Sequence, residues 1–595
     1  MESRASNGQQ GQLLALLGRV EWSSIGSHGI TQLAQSPPGP SRDVDGWLLG
    51  TLGDVGSTGV QDVSFSSSPD GSLLTLVKGD LLNRSELSTR LCSCEVRRGG
   101  FSDAEAIQLA YSEWGHTLLD HLEGSYALVV LDLRQKKVTL ARDRLGVGSL
   151  FYRSSSDVVA VSSSALDLTS FDGRRSDLSA SALIELLYRQ SISPPRTIYE
   201  DVCATEPGVV YELLLGRDGS PRAVTSHRWS FGASQPRRIP ELLEKLDESL
   251  SASLGNYAQD GGNAWVALSG GIDSSLVALA ASEAGAASDA AFLDVGYGAS
   301  SQVELENSRA AATLGGLSWH LLRAGDETRS LHSHWIASAD TPPVDGFNIF
   351  LLCHSLRRRC KAAYTGLGGD ELFCGYPDLS TALSSCTNED HLVTEFLHAT
   401  ALLPEALVAR VAAELCVDWQ QEKQRAMSRA RRALRSSGAR SLDDKLRVLL
   451  VTQYLLPCLV RDATRYASVN GVDIRAPLLS SGVAEVALEW PAQTMTDRPS
   501  MMGKLPLREL AARKGLPREL TCMPKRGFVL PYAALLSQVR SPTDSSLLLA
   551  ALGEDHPASP YRAWALTAVR KWVDARFPEH RAATALGGIR PGWLT

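Results

Sequence analysis

Ser269-Gly270-Gly271-Ile272-Asp273-Ser274-Ser275 sits between two apolar runs of a 595-residue chain. Ala264-Trp265-Val266-Ala267-Leu268 before it has the length and composition of a buried strand. Leu276-Val277-Ala278-Leu279-Ala280-Ala281 after it opens a packed helix. The stretch therefore reads as a strand, a glycine turn and a helix N-terminus. Two glycines let backbone approach a ligand closely. The N–H groups of the helix start, with the serine hydroxyls, suit an anion such as pyrophosphate. Asp273 would repel a phosphate, so a divalent cation between the two is expected. No Gly-Lys-Ser/Thr follows, so this is not that phosphate-loop pattern. A lone Gly-Gly would also suit an ordinary turn with a serine N-cap.

Length suggests roughly two to four domains. Hydrophobic content of 44% and charged content of 21% are those of a globular protein. A net charge of -7 gives no support for a nucleic-acid partner or an anionic membrane surface. No run of about 18 apolar residues is present, so no membrane span is expected. Met1-Glu2-Ser3-Arg4 opens no secretory signal, and the ten cysteines are scattered, which reads as reduced thiols in a cytoplasmic protein.

A second glycine-rich turn is Thr365-Gly366-Leu367-Gly368-Gly369-Asp370-Glu371-Leu372-Phe373-Cys374-Gly375-Tyr376-Pro377. Asp370 could share a cation with Asp273; alone, it could equally be a helix N-cap. Strands at Ala264–Leu268 and Ala291–Gly296 alternate with helical spacing at Pro240–Leu254, Glu304–Leu314, Leu331–Ala337 and Asn348–Arg358. This argues a doubly wound α/β domain with ligands at the carboxyl ends of its strands. His332 and His334 read as surface residues. In the N-terminal region Leu13–Val20, Leu73–Val77, Tyr126–Asp132, Lys137–Arg142 and Leu150–Tyr152 read as strands. Ser36–Asp45 reads as a loop, and Ser102 as the N-cap of a helix reaching Trp114.

The first turn resembles the pyrophosphate loop of ATP pyrophosphatases. With the second turn, Leu456–Asp462, Val472–Leu479, Lys504–Arg508 and Pro524–Pro531, it is similar to the asparagine synthetase family. Gly79–Leu87, Ser102–Glu105, Leu122–Ala127 and Ala141–Tyr152 resemble that family's glutaminase domain. The resemblance implies an N-terminal Ntn-hydrolase-like antiparallel sandwich over 1–232. It also implies an ATP-pyrophosphatase (adenine nucleotide α-hydrolase-like) synthetase domain over 233–595, with a helical C-terminal part. The chain departs from the family at the glutaminase. Met1-Glu2-Ser3-Arg4 stands where the family has Met-Cys-Gly-Ile. Lys78 and Asp80 replace the Asn and Glu of an Asn-Gly-Glu run, and Gly148-Ser149 replace Lys-Pro. Asp103 stands where an aspartate would bind the glutamine amine; it and Arg142 read as structural remnants. An inactive glutaminase is therefore expected, as in β-lactam synthetases and lasso-peptide cyclases.

By the resemblance, ATP and Mg2+ are the expected cofactors. Ser269, Gly270, Gly271, Ser274 and Ser275 would hold phosphates. Leu268, Val295, Thr365 and Gly366 fall at nucleotide contacts, and Asp273 and Asp370 at the metal. Lys525 would stabilise charge in the transition state. Leu367 stands where the family often has glutamate, or tyrosine in β-lactam synthetase-like members, and can do no acid–base work. Arg461, Asp462, Asp473 and Arg475 are expected to form a buried charge network shaping the acceptor site. The partners implied are a small-molecule or peptide carboxylate and an amine, and the assembly a homodimer.

Overall fold

The computed structural model describes residues 13–18, 43–44, 47–48, 63–91, 101–154, 158–170, 174–214, 222–226, 238–259, 264–295, 299–324, 328–524, 530–539, 559–580 and 586. The chain divides into two units. One comprises Met1–Asp177 with Pro194–His227, the other Leu178–Ser193 with Arg228–Thr595.

The strands of the first unit are β1 (Leu13–Gly18), β2 (Asp43–Val44), β3 (Trp47–Leu48), β4 (Ser64–Ser67), β5 (Leu73–Leu81), β6 (Gly124–Asp132), β7 (Lys137–Arg142), β8 (Phe151–Ser154), β9 (Val158–Ser162), β10 (Cys203–Ala204), β11 (Val209–Leu214) and β12 (Arg222–Ser226). They build one antiparallel sheet in the order β1-β9-β8-β10 and a second in the order β12-β11-β7-β6-β5-β4. The expected loop to Asp45 instead contributes β2, paired with β3.

Alternation along β6 sets the layers. Val129 and Leu131 pack with Leu74, Leu140, Val159 and Val161 between the two sheets. Leu128 and Val130 face the other way, onto α1 (Arg84–Leu91) and α2 (Asp103–Trp114). Both faces of β6 are buried, so Tyr126–Leu131 is apolar without a break. α2 opens with a capping box: Ser102 Oγ accepts from the Glu105 N–H at 3.2 Å, and Glu105 accepts from the Ser102 N–H at 2.8 Å.

In the second unit β13 (Ala264–Ala267), β14 (Asp289–Asp294), β15 (Ser318–Arg323), β16 (Ala362–Tyr364) and β17 (Asp473–Arg475) form a parallel sheet in the order β15-β14-β13-β16-β17. Its helices include α3 (Ala180–Arg189), α4 (Ile239–Ala258), α5 (Ile272–Glu283), α6 (Ala299–Leu314), α7 (Thr328–Ser338), α8 (Phe347–Leu356) and α9 (Leu505–Arg513). Successive strands run outward from β13 to one side, and β16 and β17 continue on the other. The order therefore reverses at β13, the place where open α/β sheets bind ligands.

Two expectations do not hold. His334 is exposed, but His332 has no exposed surface. Its ring lies 4.5 Å from that of Trp564 and 5.5 Å from that of Trp335. Position 332 is one turn before Trp335 and shares its buried face. Arg461, Asp462, Asp473 and Arg475 form two ion pairs rather than one network, Arg461–Asp462 at 2.7 Å and Arg475–Asp473 at 2.8 Å. Arg475 stacks on the Tyr257 ring instead of reaching the first pair.

Candidate active site

Both glycine turns leave the carboxyl ends of adjacent strands, β13 and β16, and they pack directly on each other. A Cβ on Gly366 would come within 2.7 Å of Asp273 Cβ, and one on Gly369 within 2.7 Å of Asp273 Cγ. Gly270 has φ of +79°, and a Cβ there would lie 2.1 Å from the Glu304 carbonyl oxygen. These glycines are needed for contact between turns as much as for conformational freedom. The serines hold the first turn: Ser269 and Ser274 hydroxyls are 3.0 Å apart, and Ser274 Oγ donates to the Gly271 carbonyl at 3.1 Å.

The turns line a cavity of about 440 Å³. Leu268, Ser269, Gly270, Gly271, Asp273, Ser274, Thr365, Gly366 and Asp370 all reach it. Two expected site residues do not line it. Ser275 is fully buried, its N–H tied to the Gly271 carbonyl at 3.0 Å. Val295 follows the end of β14. Lys525 and Arg526 lie outside the described residues.

A lysine to which the sequence attaches no role dominates the electrostatics. Lys504 Nζ donates to Asp273 Oδ2 and lies 2.8 Å from Asp370 Oδ1. Burial alone would lower its pKa, but the two carboxylates outweigh burial and raise it. Gly375 and Gly503 make room. A Cβ on Gly375 would strike Lys504 Cε at 2.3 Å, and one on Gly503 the Cys374 carbonyl oxygen at 2.2 Å. Arg508 steadies this segment, donating to the carbonyls of Gly503 at 2.7 Å and Thr521 at 2.6 Å. Asp273 and Asp370 thus converge on one cation, and their hard oxygens fit magnesium. Among the described residues no group of three or more His, Cys, Asp or Glu could hold a metal. Phosphate and water oxygens would have to complete the shell.

Leu367 reaches the cavity as an apolar wall. Tyr376 lines the same cavity, and its phenol donates to buried Glu371 at 2.5 Å. Burial first, then the Glu371 and Asp370 charges, hold that phenol well above its ordinary pKa.

In the first unit Asp103 accepts from Arg84 at 3.0 Å and from the Leu81 N–H at 3.3 Å. Lys78 donates to Ser163 at 3.0 Å. Arg142 is turned onto the Gly148 carbonyl at 3.2 Å, and Asp143 accepts from the Gly148 N–H at 2.7 Å. These groups fasten a corner of the sandwich to itself. Met1–Arg4 lie outside the described residues.

The asparagine synthase family model matches residues 245–583, more than half of the chain, and the glutamine amidotransferase domain model matches residues 51–221. The chain belongs to the asparagine synthase family. Its relatives include the amidase chry2 of Gibberella zeae, 26% identical over 331 residues, which are 51% of this chain and 48% of that protein. The putative glutamine-hydrolyzing asparagine synthetase of Mycobacterium tuberculosis is 24% identical across 59% of this chain and 56% of its own length. Glutamine-hydrolyzing asparagine synthetase 2 of Bacillus subtilis is 24% identical across 70% of this chain and 57% of its own. The chain spans about half the length of the curated relatives it matches. Among the described residues no helix is long and apolar enough to cross a membrane.

Proposed function

We propose that this family member is an ATP-dependent carbon–nitrogen ligase. A substrate carboxylate oxygen attacks the α-phosphorus of ATP and pyrophosphate leaves. An amine nitrogen then attacks the acyl carbon, AMP leaves, and the nitrogen loses a proton. The observation that carries this reading is the packing of two glycine turns that brings Asp273 and Asp370 onto one cation at the strand switch point.

In this reading Ser269, Gly270, Gly271 and Ser274 cradle phosphates, through hydroxyls and the N–H groups at the start of α5, while buried Ser275 only packs behind the turn. Leu268, Thr365 and Gly366 form the nucleotide wall. Asp273 and Asp370 would hold Mg2+, which supplies charge neutralisation between carboxylate and phosphate. Lys525 meets charge developing at the reacting carbon. In this reading glutamine is not the source of the amine, which the pairing of Asp103 with Arg84 supports. An amine-bearing substrate of specialised metabolism fits this better than asparagine supply, and the amidase name of the Gibberella zeae relative refers to the same class of bond. The substrate is a small-molecule or peptide carboxylate, the assembly a homodimer, and the site of action the cytoplasm.

ATP–pyrophosphate exchange over a panel of carboxylic acids tests the reading. Exchange with one acid and no glutamine is expected. Exchange with aspartate alone, completed by ammonium, would instead make the chain an ammonia-dependent asparagine synthetase. ATP binding without exchange across the panel would make it a non-catalytic nucleotide binder.

A further inference from the structure

The phosphate assignment leaves part of the cavity lining without a task. Asp345, Asn348, Ile349 and Leu352, at the entry to and along α8, face the same space as Tyr454 and Leu459. Asp345 is the one carboxylate among them. Its Oδ1 accepts from the Gly346 N–H at 2.7 Å. Among the described residues no lysine, arginine or histidine pairs with it; Arg461, on the neighbouring helical run, is taken by Asp462. Burial raises the Asp345 pKa, opposed only by the Gly346 bond. Tyr454 lines the same cavity, and burial first and then the Asp345 charge hold its phenol well above its ordinary pKa.

A carboxylate without a counter-cation is costly in such a place unless a ligand brings the charge. A divalent metal would need further oxygen ligands, and Asp462 is already paired. An organic ammonium needs one carboxylate, aromatic faces and an apolar wall for its chain, and these are what surround Asp345.

We propose that Asp345 binds a positively charged nitrogen of the acceptor substrate, a primary ammonium on an apolar chain lying along Ile349, Leu352 and Leu459. This rests on reading the cavity as a ligase site, and it narrows the amine to one recognised in its charged form, which gives up one proton to a base before its lone pair attacks the acyl carbon and a second afterwards.

Isothermal titration of the full chain with n-butylammonium, with n-butanol and butyrate as size-matched probes, tests it. Butylammonium should bind at least about tenfold more tightly than butanol, and butyrate most weakly. Asp345→Asn keeps an oxygen for the Gly346 N–H. It should bring the amine to the affinity of the alcohol while leaving Mg-ATP affinity unchanged. Equal binding of amine and alcohol by the wild-type chain would overturn the proposal, whether or not the variant folds. So would an Asp345→Asn chain that keeps the preference. Amine preference without ATP binding would sink the ligase reading and leave this site standing.

Discussion

Asp103 in the first unit and Asp273 in the second are both answered by a cation of their own chain, but on different terms. Arg84 reaches Asp103 from the adjoining helix, and the Leu81 N–H adds a further bond to the same carboxyl group. The carboxylate is held by groups close to it in the fold. Lys504 reaches Asp273 across the sequence, divides itself between two carboxylates and sits at the wall of a cavity. If the two carboxylates hold magnesium as proposed, the ammonium they share must be a replaceable charge. The difference separates an ion pair that finishes a fold from one that reserves a position.

Lys504→Met tests that distinction hardest. It takes away the ammonium that the two carboxylates share, and breaking a buried pair from one side costs about 3–5 kcal/mol. Without magnesium the variant should unfold at a clearly lower denaturant midpoint than wild type. Added Mg2+ should restore part of the loss in the variant and little in wild type. A stability that ignores magnesium in both chains would mean that the carboxylates do not form a metal site.

Next in size are Asp273→Asn and Asp370→Asn. Each keeps the shape of the turn and removes a charged ligand. AMP formation with the best acid should fall on the order of a hundred- to a thousandfold, the scale of losing one preorganised charge contact in a closed site. Near-normal turnover at ordinary magnesium in either variant would mean that this aspartate holds no catalytic metal.

The two regions are not equally legible in the sequence. Ser269–Ser275 announces its strand, turn and helix because every step is local: an apolar run, two glycines, a second apolar run. Tyr126–Asp132 announces a strand but not the layers of the first unit, because both of its faces are buried and its apolar run carries no alternation. Lys504 stands out only as part of a matching segment, since its partners Asp273 and Asp370 are remote in sequence and no spacing rule joins them. Asp345 and the Tyr376–Glu371 pair are silent for a related reason: a carboxylate beside a glycine, or a tyrosine after one, looks ordinary until the cavity is known. His332 misleads because an isolated histidine on a mixed helix carries no sign of Trp564, which arrives from the far end of the chain.

His332 extends the comparison to a group that has no counter-charge among the described residues. Burial, helped by the Lys571 charge, pushes its pKa down to about 3. The unfolded chain takes a proton on this imidazole below about pH 6.5, while the folded chain does not until about pH 3. Its contribution to stability is therefore present above pH 6.5 and is lost as pH falls through that window. The limiting slope is about 1.4 kcal/mol per pH unit. Urea unfolding at pH 7 and pH 5 should differ by about 2 kcal/mol from this residue, and His332→Phe should remove that part. Equal acid sensitivity in both chains would mean that the folded chain protonates His332.

The smallest effect belongs to Arg84, where the first unit's ion pair is itself at stake. Its side chain is 39% exposed and that of Asp103 is 13% exposed, so water screens the pair. Arg84→Ala should cost about 0.2–1 kcal/mol, read as a small shift in urea midpoint with an unchanged slope. The same variant bears on whether Arg84 merely caps a glutamine site that still works beneath it. If it does, removing the guanidinium would free Asp103 for a glutamine amine, and glutamate release would rise. The remaining groups speak against that: Lys78 is turned to Ser163, and Arg142 to the Gly148 carbonyl. Freeing one carboxylate restores none of these. Neither wild type nor Arg84→Ala should release glutamate from glutamine above background, with or without ATP. Release by the variant alone would make Arg84 a removable cap. Release by wild type would show that Asp103 serves glutamine despite its arginine, and the amine of the ligase reaction would have to be reassigned to ammonia.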